Sequence, residues 1–238
     1  GCRFCASTIG GRVRNLSAGE ILGEVITVQK DLGSERLSGI VMMGIGEPLD
    51  NYDQVIRFLR LVSHENGICI GLRHISLSTC GLVDKIYQLT EEDLPITLSI
   101  SLHAADDETR SSIMPINNRW KIAQLLAACK NWFEKTGRRI SFEYTLIAGK
   151  NDTPEQARHL ANVLKRGMRC PCHVNLIPLN DVVESPFKPS HRLSAFQRRL
   201  ESHGVTATVR RSLGGDIDAS CGQLRRKAME EKEDVSGK

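Results

Sequence analysis

What most constrains this chain is a repeated alternation of short apolar segments with amphipathic ones, each apolar segment ending in glycine or small polar residues. Residues 39–43 read as a short buried strand that runs into Gly46-Glu47-Pro48, followed by a helix through Val55, Phe58, Leu59 and Val62. A strand at 74–78 ends in Thr79-Cys80-Gly81 before a helix over 82–89. A strand at 96–101 ends in Leu102-His103-Ala104, and a long amphipathic helix covers 121–135. Strand 140–146 leads to a helix at 154–165, with Thr153 as N-cap and Pro154 in the first helical position. Strand 173–177 ends in Pro178-Leu179-Asn180; a helix near 193–202, a strand at 205–210 and a final helix beyond Cys221 follow. Upstream, Ser17 and Glu20 form a capping box for a helix carrying Ile21, Val25 and Val28 and ended by Gly33. Strands alternating with amphipathic helices predict parallel βα units. The expected fold is α/β: an open, partial (βα)6 TIM-like barrel with a C-terminal strand and helix extension. One domain is expected over 1–226, with a charged tail over 227–238.

Composition adds limits rather than identity. The chain has 238 residues, 40% hydrophobic and 25% charged, which is ordinary for a packed globular domain. Only 5% are aromatic, so the core must be mostly aliphatic. A net charge of +4 permits an anionic partner without demanding one. No apolar run approaches the roughly 18 residues of a membrane span. Eight cysteines without a cystine-scaffold spacing suggest a reducing compartment with thiols free for metal or catalysis.

The chain opens on Gly1-Cys2-Arg3-Phe4-Cys5-Ala6-Ser7-Thr8, two thiols at CxxC spacing followed by small residues. Two thiolates three positions apart can face one soft metal centre from a single tight loop. Starting inside a motif and without Met, the sequence reads as a fragment.

In parallel α/β folds ligands bind at the carboxyl ends of the strands, and polar residues fall there repeatedly. They are Glu47 after Gly46, Ser78, Ser101, His103 and Asn180. Each has a plain alternative: Glu47 as a helix cap, Ser78 and Ser101 as turn formers, His103 bonded to a neighbouring carbonyl. Together they would collect carboxylate, hydroxyl, imidazole and amide on one rim, which suits a zwitterionic, ribose-bearing cofactor. Cys221 lies between small residues on a Gly-rich turn, a place for access rather than packing. Nearby Arg210, Arg211, Arg225 and Arg226 would favour its thiolate and attract a phosphate backbone. Cys69, Cys80 and Cys129 read as core or turn residues, and Cys170-Pro171-Cys172 lacks visible metal partners.

The motifs GCRFCAST, MMGIGEPLDN, ISLSTCG, SISLHA, FEYTLIAGKND, VNLIPLN and GGDIDASCGQL, in this order, resemble the radical-SAM adenine methyltransferases of the RlmN/Cfr family. The resemblance spans residues 1 to about 224. It implies a [4Fe–4S] cluster held by three cysteines, with Cys2 and Cys5 as the second and third and the first upstream of Gly1. It implies that Gly46 and Glu47 bind the methionyl end of S-adenosylmethionine, with Ser78, Ser101, Leu102, His103 and Asn180 completing that site. Cys221 is then the methyl-carrying cysteine, and two molecules of S-adenosylmethionine are used per turnover. The substrates implied are an adenosine of 23S rRNA and a tRNA adenosine beside the anticodon, methylated at C2; the C8-specific branch is similar in these motifs. An adenine enclosed in a barrel mouth must be flipped out of its stack, and Arg12, Arg14 and Lys227 join the arginines above as candidates to hold the backbone. An electron donor such as flavodoxin, a monomeric state and a cytoplasmic location complete the expectation. The family's resolving cysteine, general-base carboxylate and accessory RNA-binding domain lie upstream of the cluster motif, so this stretch alone is expected not to complete turnover. The competing expectation from another class is an RNA-binding or redox module whose CxxC holds zinc or cycles as a disulfide.

Overall fold

A computed structural model of the chain describes residues 1–8, 11–43, 45–179 and 186–210. Six strands alternate with helices in chain order: α1 (Ala18–Asp31), β1 (Ile40–Met42), α2 (Tyr52–Val62), β2 (Ile75–Thr79), α3 (Val83–Thr90) and β3 (Thr97–Ser101). Then come α4 (Asp107–Ile113), α5 (Ile122–Thr136), β4 (Ile140–Leu146), α6 (Pro154–Met168), β5 (Cys172–Pro178), α7 (Leu193–Ser202) and β6 (Thr206–Val209). The sheet order is β1-β2-β3-β4-β5-β6 and every pairing is parallel. Because parallel crossovers are right-handed, strands added in one direction carry all their helices on one face. The first and last strands are not joined in this sheet, so the barrel is open, as the alternation predicts.

The two faces of the sheet are chemically opposite, and the register makes them so. Ile100, Phe142, Val174 and Ala207 stand in one row across four strands, Leu77 pairs Leu98, and Tyr144 pairs Leu176. All of these are buried, and with Phe58 and Leu59 of α2, Ile86 of α3, Trp132 of α5, Leu160 of α6 and Phe196 of α7 they make one core. One residue along, the other face carries Ser78, Ser99, Ser141, His173 and Thr206 in one row and Ser101, Glu143, Asn175 and Thr208 in the next. Period-2 alternation therefore places small hydroxyls and one carboxylate on the face away from the core.

The caps behave as the sequence predicts. Ser17 and Glu20 bond reciprocally at the start of α1, and Thr153 and Gln156 do the same at α6 with Pro154 in the first turn. Three expectations change. β1 is an edge strand of three residues rather than a buried one; Val41 is 66% exposed, because its register with Ser76 turns it to the face away from the core. Val28 faces solvent, and α1 packs through Ile21, Leu22 and Val25 instead. Helix α4 is unforeseen; Asp106 caps it, accepting from Thr109 N at 2.7 Å. Gly39 brings β1 close enough that a Cβ would lie 2.6 Å from the His74 carbonyl oxygen. No helix among the described residues is long and apolar enough to cross a membrane. The helix expected beyond Cys221 and the tail at 227–238 lie outside the described residues.

Candidate functional site

The polar rim forms where β1 to β5 end, and the cysteine loop lies against it. Arg3 N donates to Ile113 O at 2.9 Å, which ties the loop to the end of α4. The Phe4 ring meets the His103 ring edge-on, 5.0 Å between centroids. Cys2, Phe4 and Cys80 pack against Ile113, Met114, Ile147 and Leu179, a second apolar cluster apart from the main core. Within the loop, Thr8 Oγ1 donates to the carbonyls of Cys2 (3.1 Å) and Cys5 (2.8 Å), and Cys5 N donates to Cys2 O at 3.2 Å. The chain therefore curls so that both free, half-buried thiols leave one short turn. Burial pushes the Cys2 thiol up, and the Cys5 sulfur adds to that. Among the described residues no group of three His, Cys, Asp or Glu side chains forms a metal site; this loop brings two thiols to one turn.

Glu47 does more than cap. Its Oε1 accepts from Leu49 N at 3.0 Å, closing the turn over Pro48–Asn51, and its Oε2 accepts from Cys80 N at 2.7 Å. One carboxylate thus locks the end of β1 to the end of β2. Gly46 before it has φ +93, a conformation that favours glycine, and has open space where a Cβ would project. Ser78 and Ser101 are half-buried on the polar face, as the strand ends predict. Leu102 is buried among core side chains, so only its backbone can serve a ligand there; its N–H donates to Glu143 O at 3.1 Å.

His103 is the most constrained member of the rim. It is 5% exposed and holds φ +55, a left-handed backbone rare outside glycine. Its Nδ1 accepts from Thr145 N at 2.9 Å, which assigns the ring proton to Nε2. Asn151 Nδ2 donates to His103 O at 2.7 Å. Burial, then the charge of Arg110, pushes the His103 pKa down to about 3. A depressed imidazole pKa stabilises the fold above the unfolded value and loses that contribution as pH falls from 6.5 toward 3. Lowering pH from 7 to 5 should therefore cost about 2 kcal/mol through this residue alone. Urea melts of wild type and His103→Gln at both pH values check it; an equal acid loss in both would remove His103 as the cause.

Three residues of the site are not singled out by the sequence. Glu143, 4% exposed, accepts from Asn175 Nδ2 at 2.7 Å and Ser141 Oγ at 3.1 Å. Burial pushes its carboxyl above the usual carboxylate range. The signal for it was the i, i+2 pair Ser141/Glu143, matched by Ser99/Ser101 and His173/Asn175. Cys80, expected as a core or turn residue, belongs instead to the cluster beside Cys2 and receives Glu47 on its N–H. Arg110 is fully buried behind the same strand ends. Cys129 is core, as expected, and Cys69 lies exposed just after the turn at 65–68, with φ +59. Among the arginines proposed for a nucleic-acid backbone, Arg12 pairs with Asp50 and Arg14 with Glu20 on the surface. Asn180, Cys221, Arg211, Arg225, Arg226 and Lys227 lie outside the described residues.

The family model of the radical SAM superfamily matches residues 1–163. A Clostridium perfringens protein named "Probable dual-specificity RNA methyltransferase RlmN" is 56% identical over 234 residues, which cover 98% of this chain and 66% of that protein. Its namesake in Clostridium acetobutylicum is 54% identical over 235 residues, with 98% and 67% covered. The chain thus spans about two thirds of the length of the curated relatives it matches. A crystal structure of a radical SAM methyltransferase from Sphaerobacter thermophilus superposes with a TM-score of 0.88 at 44% identity, covering 94% of this chain and 66% of that one.

Proposed function

The chain belongs to the radical SAM superfamily and, within it, to the RlmN family, and from that premise we propose that it is the catalytic core of an RNA adenine-C2 methyltransferase. Its substrates are an adenosine of 23S rRNA and a tRNA adenosine beside the anticodon, its electron donor is a protein such as flavodoxin, and it works as a cytoplasmic monomer. The observation that carries the reading is the seating of the Cys2/Cys5 loop on the strand-end rim, against His103 and beside the residue that Glu47 grips.

The reading requires a [4Fe–4S] cluster and S-adenosylmethionine. The residues present fit the cluster: two free thiols leave one turn, and Ser7 Oγ of that turn is buried with no hydrogen-bond partner. Cys2 and Cys5 would hold two irons, with a third cysteine supplied upstream of Gly1. When bound, the cluster supplies the electron that cleaves S-adenosylmethionine to a 5′-deoxyadenosyl radical. Gly46 and Glu47 bind the methionyl end of that molecule, the carboxylate accepting from its ammonium group. Ser78, Ser101, Asn180 and the second lone pair of the Leu102 carbonyl, the first of which Arg110 uses, would take its remaining polar atoms, and His103, whose Nδ1 already accepts from Thr145 N, would offer Nε2–H as a donor. Cys221 is the methyl carrier. Its thiolate forms a sulfur–carbon bond to the methyl of one S-adenosylmethionine, S-adenosylhomocysteine leaves, and a second molecule serves the radical step. A carrier is needed because an adenine ring carbon is not a nucleophile toward a methyl sulfonium.

The test takes the full-length protein, reconstituted anaerobically with iron and sulfide, with and without Cys221→Ala. After incubation with S-adenosylmethionine, peptide mass spectra should show about 14 Da added to the Cys221 peptide and nothing in the variant. Fragmentation of the modified adenosine should report C2; a C8 product would move the chain to the other branch. An unmodified Cys221 in an active, cluster-loaded protein would overturn the carrier mechanism.

A further inference from the structure

Arg110 is 0% exposed, and its guanidinium is spread over four uncharged acceptors. Nε donates to Leu102 O at 3.1 Å, Nη1 to Asn117 Oδ1 at 3.1 Å, and Nη2 to Cys80 O at 2.8 Å and Ser101 O at 3.0 Å. Among the described residues no carboxylate forms an ion pair with it; the charge of Asp107, three residues earlier on α4, reaches it only from a distance. A buried cation without an anion in contact costs several kcal/mol of desolvation that carbonyl dipoles offset only in part. Tying strand ends together would not by itself demand a full charge in that place, since neutral amides also donate to carbonyls.

The surroundings indicate which anion the charge faces. Arg110 holds the Cys80 carbonyl, while Glu47 holds the N–H of that same residue. Cys80 and Cys2 share one apolar cluster with Ile113 and Met114, the residues that end α4. The cysteine loop is bonded to Ile113 O, one turn beyond Arg110 on the same helix. The guanidinium is therefore buried directly behind the strand end against which the thiolate loop packs.

We propose that Arg110 is the buried counter-charge of the iron–sulfur cluster, a positioning residue that favours the reduced state of the cluster. This rests on the cofactor reading above. A [4Fe–4S] cluster on three thiolates carries a net charge of roughly −1 when oxidised and −2 when reduced. Adding an electron therefore increases the attraction to a fixed cation, and the screening is weak in a dry interior. The fork onto Cys80, Ser101 and Leu102 fixes that cation at the ends of β2 and β3, where the rim and the cysteine loop meet.

The experiment uses the full-length, cluster-loaded protein and its Arg110→Gln, Arg110→Lys and Asn117→Asp variants. Each is poised at one fixed potential with a dithionite-reduced viologen, and the reduced fraction is read by electron paramagnetic resonance. The ratio of reduced to oxidised cluster should fall about tenfold or more in Arg110→Gln, while Arg110→Lys, which keeps the charge, stays near wild type. Asn117→Asp sets an anion against the intact guanidinium and should lower the ratio in the same direction, which keeps the proposal testable even if Arg110→Gln does not fold. An unchanged ratio in Asn117→Asp, or an equal fall in Arg110→Lys and Arg110→Gln, overturns the counter-charge. A wild-type protein showing no [4Fe–4S] signal after loading overturns the cofactor reading itself.

Discussion

Asn151→Ala should destabilise the fold by about 3–6 kcal/mol, because one small side chain satisfies three buried backbone groups. Asn151 is 0% exposed. Its Nδ2 donates to His103 O at 2.7 Å and Thr145 O at 2.8 Å, and its Oδ1 accepts from Ile147 N at 2.7 Å. Alanine removes the side-chain partner of two carbonyls and one N–H in a place that water does not reach, at about 1–2 kcal/mol each. Against a total stability of about 5–15 kcal/mol this is a large fraction. Damage should concentrate at the left-handed turn of His103, since Asn151 holds its carbonyl. Urea denaturation of wild type and variant measures the loss. A loss below about 1 kcal/mol would mean that solvent replaces the amide and that the turn is held by other contacts.

Glu47→Gln should leave the fold in place and weaken S-adenosylmethionine binding by about a hundredfold or more. The carboxylate accepts from Leu49 N and Cys80 N with its two oxygens. Glutamine can present only one oxygen, so either N–H then faces an amide N–H. The negative charge that would meet the ammonium group is removed in the same substitution, and charge-assisted hydrogen bonds are about twice as strong as neutral ones. Equilibrium titration of the cluster-loaded, full-length protein with S-adenosylmethionine reads the effect. Unchanged affinity would restrict Glu47 to its role as a turn cap and remove it from the cofactor site.

Features carried by neighbouring residues are legible in the sequence. The capping box of Ser17, the N-cap role of Thr153 and the bounds of β4 and α7 match the structure because each depends on a few adjacent side chains. β1 misleads because an apolar run does not say which of its residues the register turns away from the core. Helix α4 is concealed by its own composition: its buried members include Arg110, which a charge pattern assigns to the surface. The site divides along the same line. Glu47, Ser78, Ser101 and His103 are visible from their position at strand ends. Arg110, Glu143, Cys80 and Asn151 acquire their roles from partners up to 48 residues away, through a strand register that one sequence does not print.

The separation of the sheet into a dry face and a hydroxyl-bearing face has a consequence for how such a scaffold can change. Ser78, Ser99 and Ser141 sit beside one another on three strands, yet none of them contributes a side chain to the helix-packed core. A substitution there alters the width or polarity of the barrel interior while leaving Ile100, Phe142 and Val174 packed as before. Shape selection and structural integrity are thereby assigned to alternate letters of the same strands, and either set can drift without dragging the other along.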